Sequence, residues 1–203
     1  MKGKNYANRK PESERPLNDF YPTPSCMIEK ICEDGHFNYS KDVKIYDPCC
    51  GKYAIGNVLR KFGYNNITEN DIMYGNDFLK EKIEEKYDVI IMNPPFKLFD
   101  EFVKKAIESA KEVWCIGKLN FFGAHNRNVT GLWDKLSWVF PFDRMIAFDK
   151  PEINGKVECG MMVTGWFVWE ENPSYDFPAI EVLDMQKYIV KKNLIKGVNH
   201  VRY

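Results

Sequence analysis

Residues 87–110 constrain the fold more tightly than any other stretch of the chain. Tyr87-Asp88-Val89-Ile90-Ile91-Met92 is a short, nearly unbroken apolar run of the kind buried on both faces of a parallel sheet. Asn93-Pro94-Pro95-Phe96 stops it, because two successive prolines remove ladder donors and push the residues before them out of helix. Beyond the turn, Phe99, Phe102, Val103, Ala106, Ile107 and Ala110 recur at helical spacing as one apolar stripe. Strand, rigid turn and amphipathic helix in that order form the repeating unit of an α/β fold, whose parallel strands are joined by crossovers.

The flanking sequence alternates in the same way. Val43-Lys44-Ile45-Tyr46-Asp47 reads as a first strand, and Ala54, Ile55, Val58, Leu59 and Phe62 as a helix stopped by Gly63. Asn66 to Asp71 reads as a second strand and Glu112 to Leu119 as another, each rich in β-formers. Arg144 to Phe148 and Met161 to Trp169 lie close together and predict an antiparallel, hairpin-like pair that closes the sheet. The expectation is an α/β domain: a mostly parallel sheet with a C-terminal antiparallel strand pair and helices on both faces. A chain of 203 residues with 44% hydrophobic content is long enough to bury one such core. Its polar beginning, with Pro11 and Pro16, predicts a flexible arm over 1–18 and a single domain over 19–203.

The candidate chemistry sits where strands end. A polar side chain after the carboxyl end of a parallel strand faces the cleft in which open α/β sheets bind ligands. The Asn93 side-chain carbonyl and the Pro94 backbone carbonyl can both accept hydrogen bonds from an amine, Pro95 stiffens the loop, and Phe96 offers a face for a flat ring. An aromatic amine is a poor nucleophile while its lone pair is delocalised. Two fixed acceptors favour the tetrahedral nitrogen and stabilise the positive charge that grows on it, with no general base required. A rigid strand-to-helix turn is the plainer alternative. Asp47-Pro48-Cys49-Cys50-Gly51 ends the first strand with a turn that lets backbone approach a ligand, or simply turns the chain. Asp71 follows Gly51 at the distance typical of a carboxylate that reaches a ribose hydroxyl, and Glu69 competes for that role. Asp77 is placed either to accept from an adenine amino group or to cap a helix starting at Phe78. Thr23, in the stiff segment Phe20-Tyr21-Pro22-Thr23-Pro24, is placed to cap the helix through Ile28 and Ile31.

Charge sets a limit on nucleic-acid binding. Lys+Arg and Asp+Glu are equal at 29, with basic excess confined to Lys2–Arg15 and Asp184–Arg202, where a solvated surface is an equal explanation. His36, His125 and His200 fall beside no carboxylate or nucleophile motif, and six cysteines without a CxxC pair predict free thiols and no metal site. No apolar run approaches the ~18 residues of a membrane span, and no signal peptide opens the chain, which reads as cytoplasmic.

In this order these residues resemble the S-adenosylmethionine-dependent amino-methyltransferases that act on DNA bases, particularly the small adenine-specific members common in phages. The likeness runs through Tyr21-Pro22-Thr23-Pro24, Asp47-Pro48-Cys49-Cys50-Gly51, Asp71, Asp77-Phe78 and Asn93-Pro94-Pro95-Phe96, and ends on Trp166-Phe167-Val168-Trp169, covering most of the chain. It implies a class I, Rossmann-like methyltransferase fold with S-adenosyl-L-methionine as cofactor. Tyr21, Thr23, Asp47 and Gly51, with Pro24 and Pro48 beside them, would hold its methionine part, Asp71 its ribose and Asp77 its adenine. Asn93, Pro94, Pro95 and Phe96 would take an adenine of single- or double-stranded DNA, flipped out of any stack. Two departures bear on this. Where the family continues Gly-x-Gly, this chain has Gly51-Lys52-Tyr53, which predicts a weakened or lost hold on the cofactor. About thirty residues after Trp169 leave no room for a recognition domain, so readout falls to loops such as Asn120–Asp134, to a homodimer or to a partner subunit. Related methyltransferases use the same loop on cytosine N4, RNA guanine and protein glutamine, and a catalytically silent nucleic-acid-binding subunit would share the fold.

Overall fold

Successive side chains of a strand point to opposite faces, so strands that are apolar at every position demand cover on both sides. The computed structural model meets that demand over the residues it describes: 22–148, 150, 152–174 and 176–190. The arm expected over 1–18, Tyr21, His200 and most of the basic C-terminal stretch lie outside them. Helices α1 (Ser25–Glu33), α2 (Ala54–Lys61), α3 (Phe99–Ser109) and α4 (His125–Val129) accompany seven strands: β1 (Ile45–Asp47), β2 (Ile67–Glu69), β3 (Tyr87–Met92), β4 (Ala110–Lys118), β5 (Leu136–Pro141), β6 (Thr164–Glu170) and β7 (Ala179–Ile180). The strands lie in the order β2-β1-β3-β4-β6-β5-β7. β2, β1, β3 and β4 are parallel, β6 runs antiparallel to both β4 and β5, and β7 pairs parallel with β5 at the edge.

The central strands split the core in two. Val89, Ile91, Trp114, Ile116, Trp166 and Val168 face a cluster completed by Met27 and Ile31 of α1 and Ile55 and Leu59 of α2. Ile90, Met92, Val113, Cys115, Phe167 and Trp169 face the other, completed by Phe99, Phe102, Val103 and Ala106 of α3. Each large apolar side chain so buried contributes about 1.5–3 kcal/mol. The helical stripe from Phe99 therefore packs as predicted, although Ala110 already belongs to β4. All six cysteines are free thiols, and no helix among the described residues is long and apolar enough to cross a membrane.

The closing antiparallel pair forms from a different segment than the sequence suggests. The partner of β6 is β5, whereas Arg144–Phe148 makes only an isolated bridge between Ile146 and Cys159. The pairing shifts register between Leu136 and Trp138, and such a bulge breaks the period-two pattern by which a strand is recognised. The 120–134 stretch is likewise not plain loop, since it holds a 3-10 turn, Leu119–Gly123, and then α4. Residues 142–163 form a second long connection. It leaves from Pro141 and returns at Thr164, which pairs with Lys118 at the carboxyl end of β4, so it shares that end of the sheet with the Asn93 loop.

Candidate active site

Three segments that carry polar groups meet at the carboxyl ends of β1 and β3. The link between two of them is a side-chain hydrogen bond: Asn93 Nδ2 donates to Thr23 Oγ1 at 3.0 Å. Thr23 therefore does not cap α1. Pro24 occupies the N-cap position, and the first free N–H of the helix, that of Ser25, is taken by the Glu152 carboxylate at 2.9 Å, with the Ser25 hydroxyl donating to the same carboxylate at 2.6 Å. The cap thus comes from the 142–163 connection, far away in sequence. The second link is the Asn93 backbone amide, which hydrogen-bonds the Cys49 thiol of the glycine turn.

Within that turn, Asp47 is fully buried, and only its Oδ1 has a partner, the Cys49 N–H at 3.2 Å. Its Oδ2 is buried with no hydrogen bond. Burial raises the carboxyl well above its ordinary range, and nearby Glu69 and Asp71 add to the rise against the lowering by the Cys49 N–H. A buried acceptor left unmatched is costly, and a cationic ligand group is the natural complement of this one. Asp71 stabilises the turn from the side: Oδ2 accepts from Gly51 N and Oδ1 from Met73 N, both at 2.9 Å. Glu69, the rival carboxylate, turns instead onto α2, where it pairs with Arg60. Asp77 accepts from Leu79 N at 3.1 Å and pairs with Lys80 at 2.9 Å, which holds its carboxyl below the usual range. It caps a turn, because residues 78–80 form no helix.

The ring side of the site is built from several elements. Phe96 meets Phe121 and Phe148 edge-on at 6.1 and 6.2 Å, and Lys118 Nζ lies 4.4 Å from its ring centre. Arg127 of α4 covers Phe121 at 4.3 Å and pairs with Asp100 of α3 at 2.6 Å. Lys118 and Phe148 were not among the residues expected from sequence, whereas Cys49 and Phe121 lie within the glycine turn and the 120–134 stretch that it singled out. Lys118 carries a legible signal, a polar residue at the carboxyl end of a parallel strand. Phe148 carries none, since only the tertiary path of the 142–163 connection brings it to Phe96.

No protein-family model and no curated protein matches the sequence. Among solved structures, the methyltransferase subunit of a type I restriction-modification system from Streptococcus thermophilus superposes with a TM-score of 0.57 at 12% identity, over 82% of this chain and 48% of that one. A proposed RNA methyltransferase from Pyrococcus horikoshii superposes with 0.52 at 15% identity, over 80% and 91%. The type IIG restriction endonuclease BpuSI gives 0.52 at 17%, over 79% of this chain and 25% of the enzyme. The fold is that of the class I methyltransferases. At these identities the likeness is one of architecture, and the chain spans about half of the Streptococcus subunit and a quarter of BpuSI.

Within this methyltransferase fold, the departure at Lys52-Tyr53 takes a definite form. Tyr53 adopts a left-handed φ of 62°, a conformation that glycine reaches without strain, so the backbone follows the path a glycine would take. Its ring is turned out onto Tyr74, stacked at 5.5 Å and 11°, while the Tyr74 hydroxyl donates to Gly51 O at 2.8 Å. The bulky side chain therefore braces the turn from outside. The two thiols of the turn are poor nucleophiles: burial raises Cys50 to about 12 and Cys49 well above its ordinary value.

Proposed function

We infer that the chain transfers a methyl group from S-adenosylmethionine to the exocyclic N6 amine of adenine in DNA, taken from a single strand or flipped out of a duplex. The observation that carries this reading is the tether of Asn93. Its amide Nδ2 donates to Thr23, and Pro94 adds a backbone carbonyl with no N–H of its own. Two acceptors on one rigid loop suit an NH2 group: they hold its two hydrogens and draw the nitrogen toward tetrahedral geometry. As the new N–C bond forms, positive charge grows on the nitrogen beside those acceptors, and the surplus proton leaves to solvent. Phe96, between Phe121 and Phe148, supplies the stacking platform.

The residues around the glycine turn suit the cofactor. The unmatched Asp47 Oδ2 fits the α-ammonium of a methionine, Thr23 and the Gly51 turn would hold the rest of that part, and Asp71, which supports the turn while Glu69 is taken by Arg60, would meet the ribose. Asp77 closes the adenine end. When bound, the cofactor supplies an electrophilic methyl on a positively charged sulfur. DNA as substrate draws support from the restriction-modification proteins among the structural neighbours, which also suggest target recognition by a homodimer or a partner subunit.

The test is to incubate the protein with labelled S-adenosylmethionine and unmethylated DNA, digest to nucleosides and identify the product by mass spectrometry. N6-methyladenine is expected, with Asn93→Ala lowering its formation by at least about 10²-fold at near-unchanged cofactor affinity. Label on cytosine, RNA guanine or protein glutamine would move the substrate. Absence of cofactor binding would overturn the reading in favour of a silent binding subunit.

A further inference from the structure

We propose that Arg127 binds a backbone phosphate of the DNA strand whose target base stacks on Phe96, so that the 119–135 connection holds the strand as well as supplying Phe121. The inference rests on the DNA reading above and deepens it. In a chain whose acidic and basic side chains are equal in number, no acidic residue stands between Val113 and Trp133. Arg127 is the one lysine or arginine of residues 119–133, so it sets the charge of that connection. An arginine on a surface loop ordinarily extends into water, where its charge is fully hydrated. This one lies along the ring cluster instead, with its side chain 16% exposed.

Three kinds of contact hold the guanidinium in place. Nε donates to Asp100 Oδ1 at 2.6 Å and Nη1 reaches Phe121 O at 3.4 Å. The central carbon lies 4.3 Å from the centre of the Phe121 ring and 5.8 Å from that of Phe99. None of these contacts uses Nη2, which has no hydrogen-bond partner among the described residues. Asp100 is already favoured where it stands, in the first turn of α3, because the unpaired backbone N–H groups there carry partial positive charge. Its pair with Arg127 therefore does more to orient the guanidinium than to stabilise the helix. A guanidinium carries five N–H donors in a planar fork, so it can keep a carboxylate on one side and take a phosphate oxygen on another. The Phe121 ring lies 6.1 Å from Phe96, which puts the cation one ring beyond the stacking platform, within reach of the phosphate of a stacked nucleotide or its neighbour. Half-buried and already oriented, it gives up little freedom when an anion arrives.

The experiment measures, by fluorescence anisotropy, the affinity of the full chain for a labelled single-stranded DNA oligonucleotide with one adenine and for the same strand with that base removed, from about 0.05 to 0.2 M salt. Arg127→Met keeps an apolar stem over Phe121 and removes the charge. It is expected to weaken both strands alike, by about tenfold at the lowest salt, and to make the plot of log affinity against log salt shallower by about 0.7, the share of one phosphate on a single strand. Arg127→Lys should recover that slope and only part of the affinity, since lysine keeps the charge without the fork. Asp100→Asn removes the competing carboxylate and should tighten both strands by about threefold. An unchanged slope in Arg127→Met, or a loss confined to the strand that carries the base, would overturn the proposal: Arg127 would then act only by holding Phe121, and the methyltransferase reading would stand. Unaltered protein that binds the cofactor analogue sinefungin but neither strand would overturn the proposal together with DNA as substrate. If Arg127→Met does not fold, Asp100→Asn decides, and unchanged or weaker binding by that variant sinks the proposal.

Discussion

At the scale of single residues, Asp47 sets burial against charge, with one carboxyl oxygen buried and without a hydrogen bond. Its folded pKa is raised far above the ordinary 3.8, chiefly by burial. A carboxyl raised in this way holds its proton more tightly in the fold, so its contribution is fully present below the unfolded value and is lost as pH climbs through the folded one. The unliganded protein should therefore lose stability as pH rises above 3.8. Asp47→Asn keeps the acceptor for Cys49 N–H but removes the buried charge. It should flatten that decline and add about 1–3 kcal/mol at pH 8, while weakening sinefungin binding at least about tenfold. Thermal melts across pH and calorimetric titration check both halves. Tyr53 makes the opposite case. Left-handed backbone costs a tyrosine about 1–2 kcal/mol, but the stack on Tyr74 returns about 0.5–1.5 kcal/mol. Tyr53→Gly should accordingly change stability by less than about 1 kcal/mol and, since the backbone already follows the glycine path, shift cofactor affinity by no more than about threefold. A hundredfold gain in affinity would show that the ring obstructs the site.

At the scale of elements, what matters is how closely neighbouring segments approach. Gly165 of β6 sits against the backbone of β5, where an added Cβ would lie 2.5 Å from Phe140 O and 2.8 Å from Pro141 Cα. Backbone cannot step aside, so Gly165→Ala should destabilise by about 1–3 kcal/mol or more and disturb the start of the 142–163 connection. Gly56 of α2 offers a contrast: the atoms nearest an added methyl are side-chain ends of Glu69 and Arg60 rather than backbone, so the clash is met by shifting that ion pair, and alanine gains about 1 kcal/mol of helix propensity. Melting midpoints of the two variants should rank Gly56→Ala well above Gly165→Ala. The same scale explains which elements were legible. β3 and α3 came through because each has a clean period over its whole length. β5 did not, because its bulge breaks the alternation, and the cap of α1 did not, because its carboxylate arrives from Glu152, 127 residues from Ser25.

At the scale of the whole molecule, the equal charge of 29 and 29 limits how DNA can be held. Each phosphate neutralised adds about 0.7–0.9 to the salt slope of binding. With basic and acidic side chains equal in number, we expect a slope of about −2 to −3 in a plot of log affinity against log salt. A slope steeper than about −5, measured by fluorescence anisotropy, would assign phosphate contacts to the basic terminal stretches instead. On the proposed reading affinity would then rest on stacking at the ring cluster, where Phe96, Phe121 and Phe148 converge from three separate parts of the chain. The connections 119–135 and 142–163 supply Phe121 and Phe148 to that cluster, so on the proposed reading target selectivity would be shared by both of them.

The sequence by itself determined the α/β class, the buried third strand, the helix after it and the order of the polar turns along the chain. These are legible because they follow from restrictions acting within a few residues: proline geometry, strand and helix periods, and the residues that end them. Only the tertiary structure decided what those turns do to one another. Thr23 meets Asn93 across 70 residues, Asp47 keeps one oxygen unmatched, Asp71 rather than Glu69 supports the glycine turn, and Tyr53 stacks outward. Each of these depends on which strands lie side by side and how closely their ends approach, and sheet order is settled by packing of the two apolar faces rather than by any local pattern.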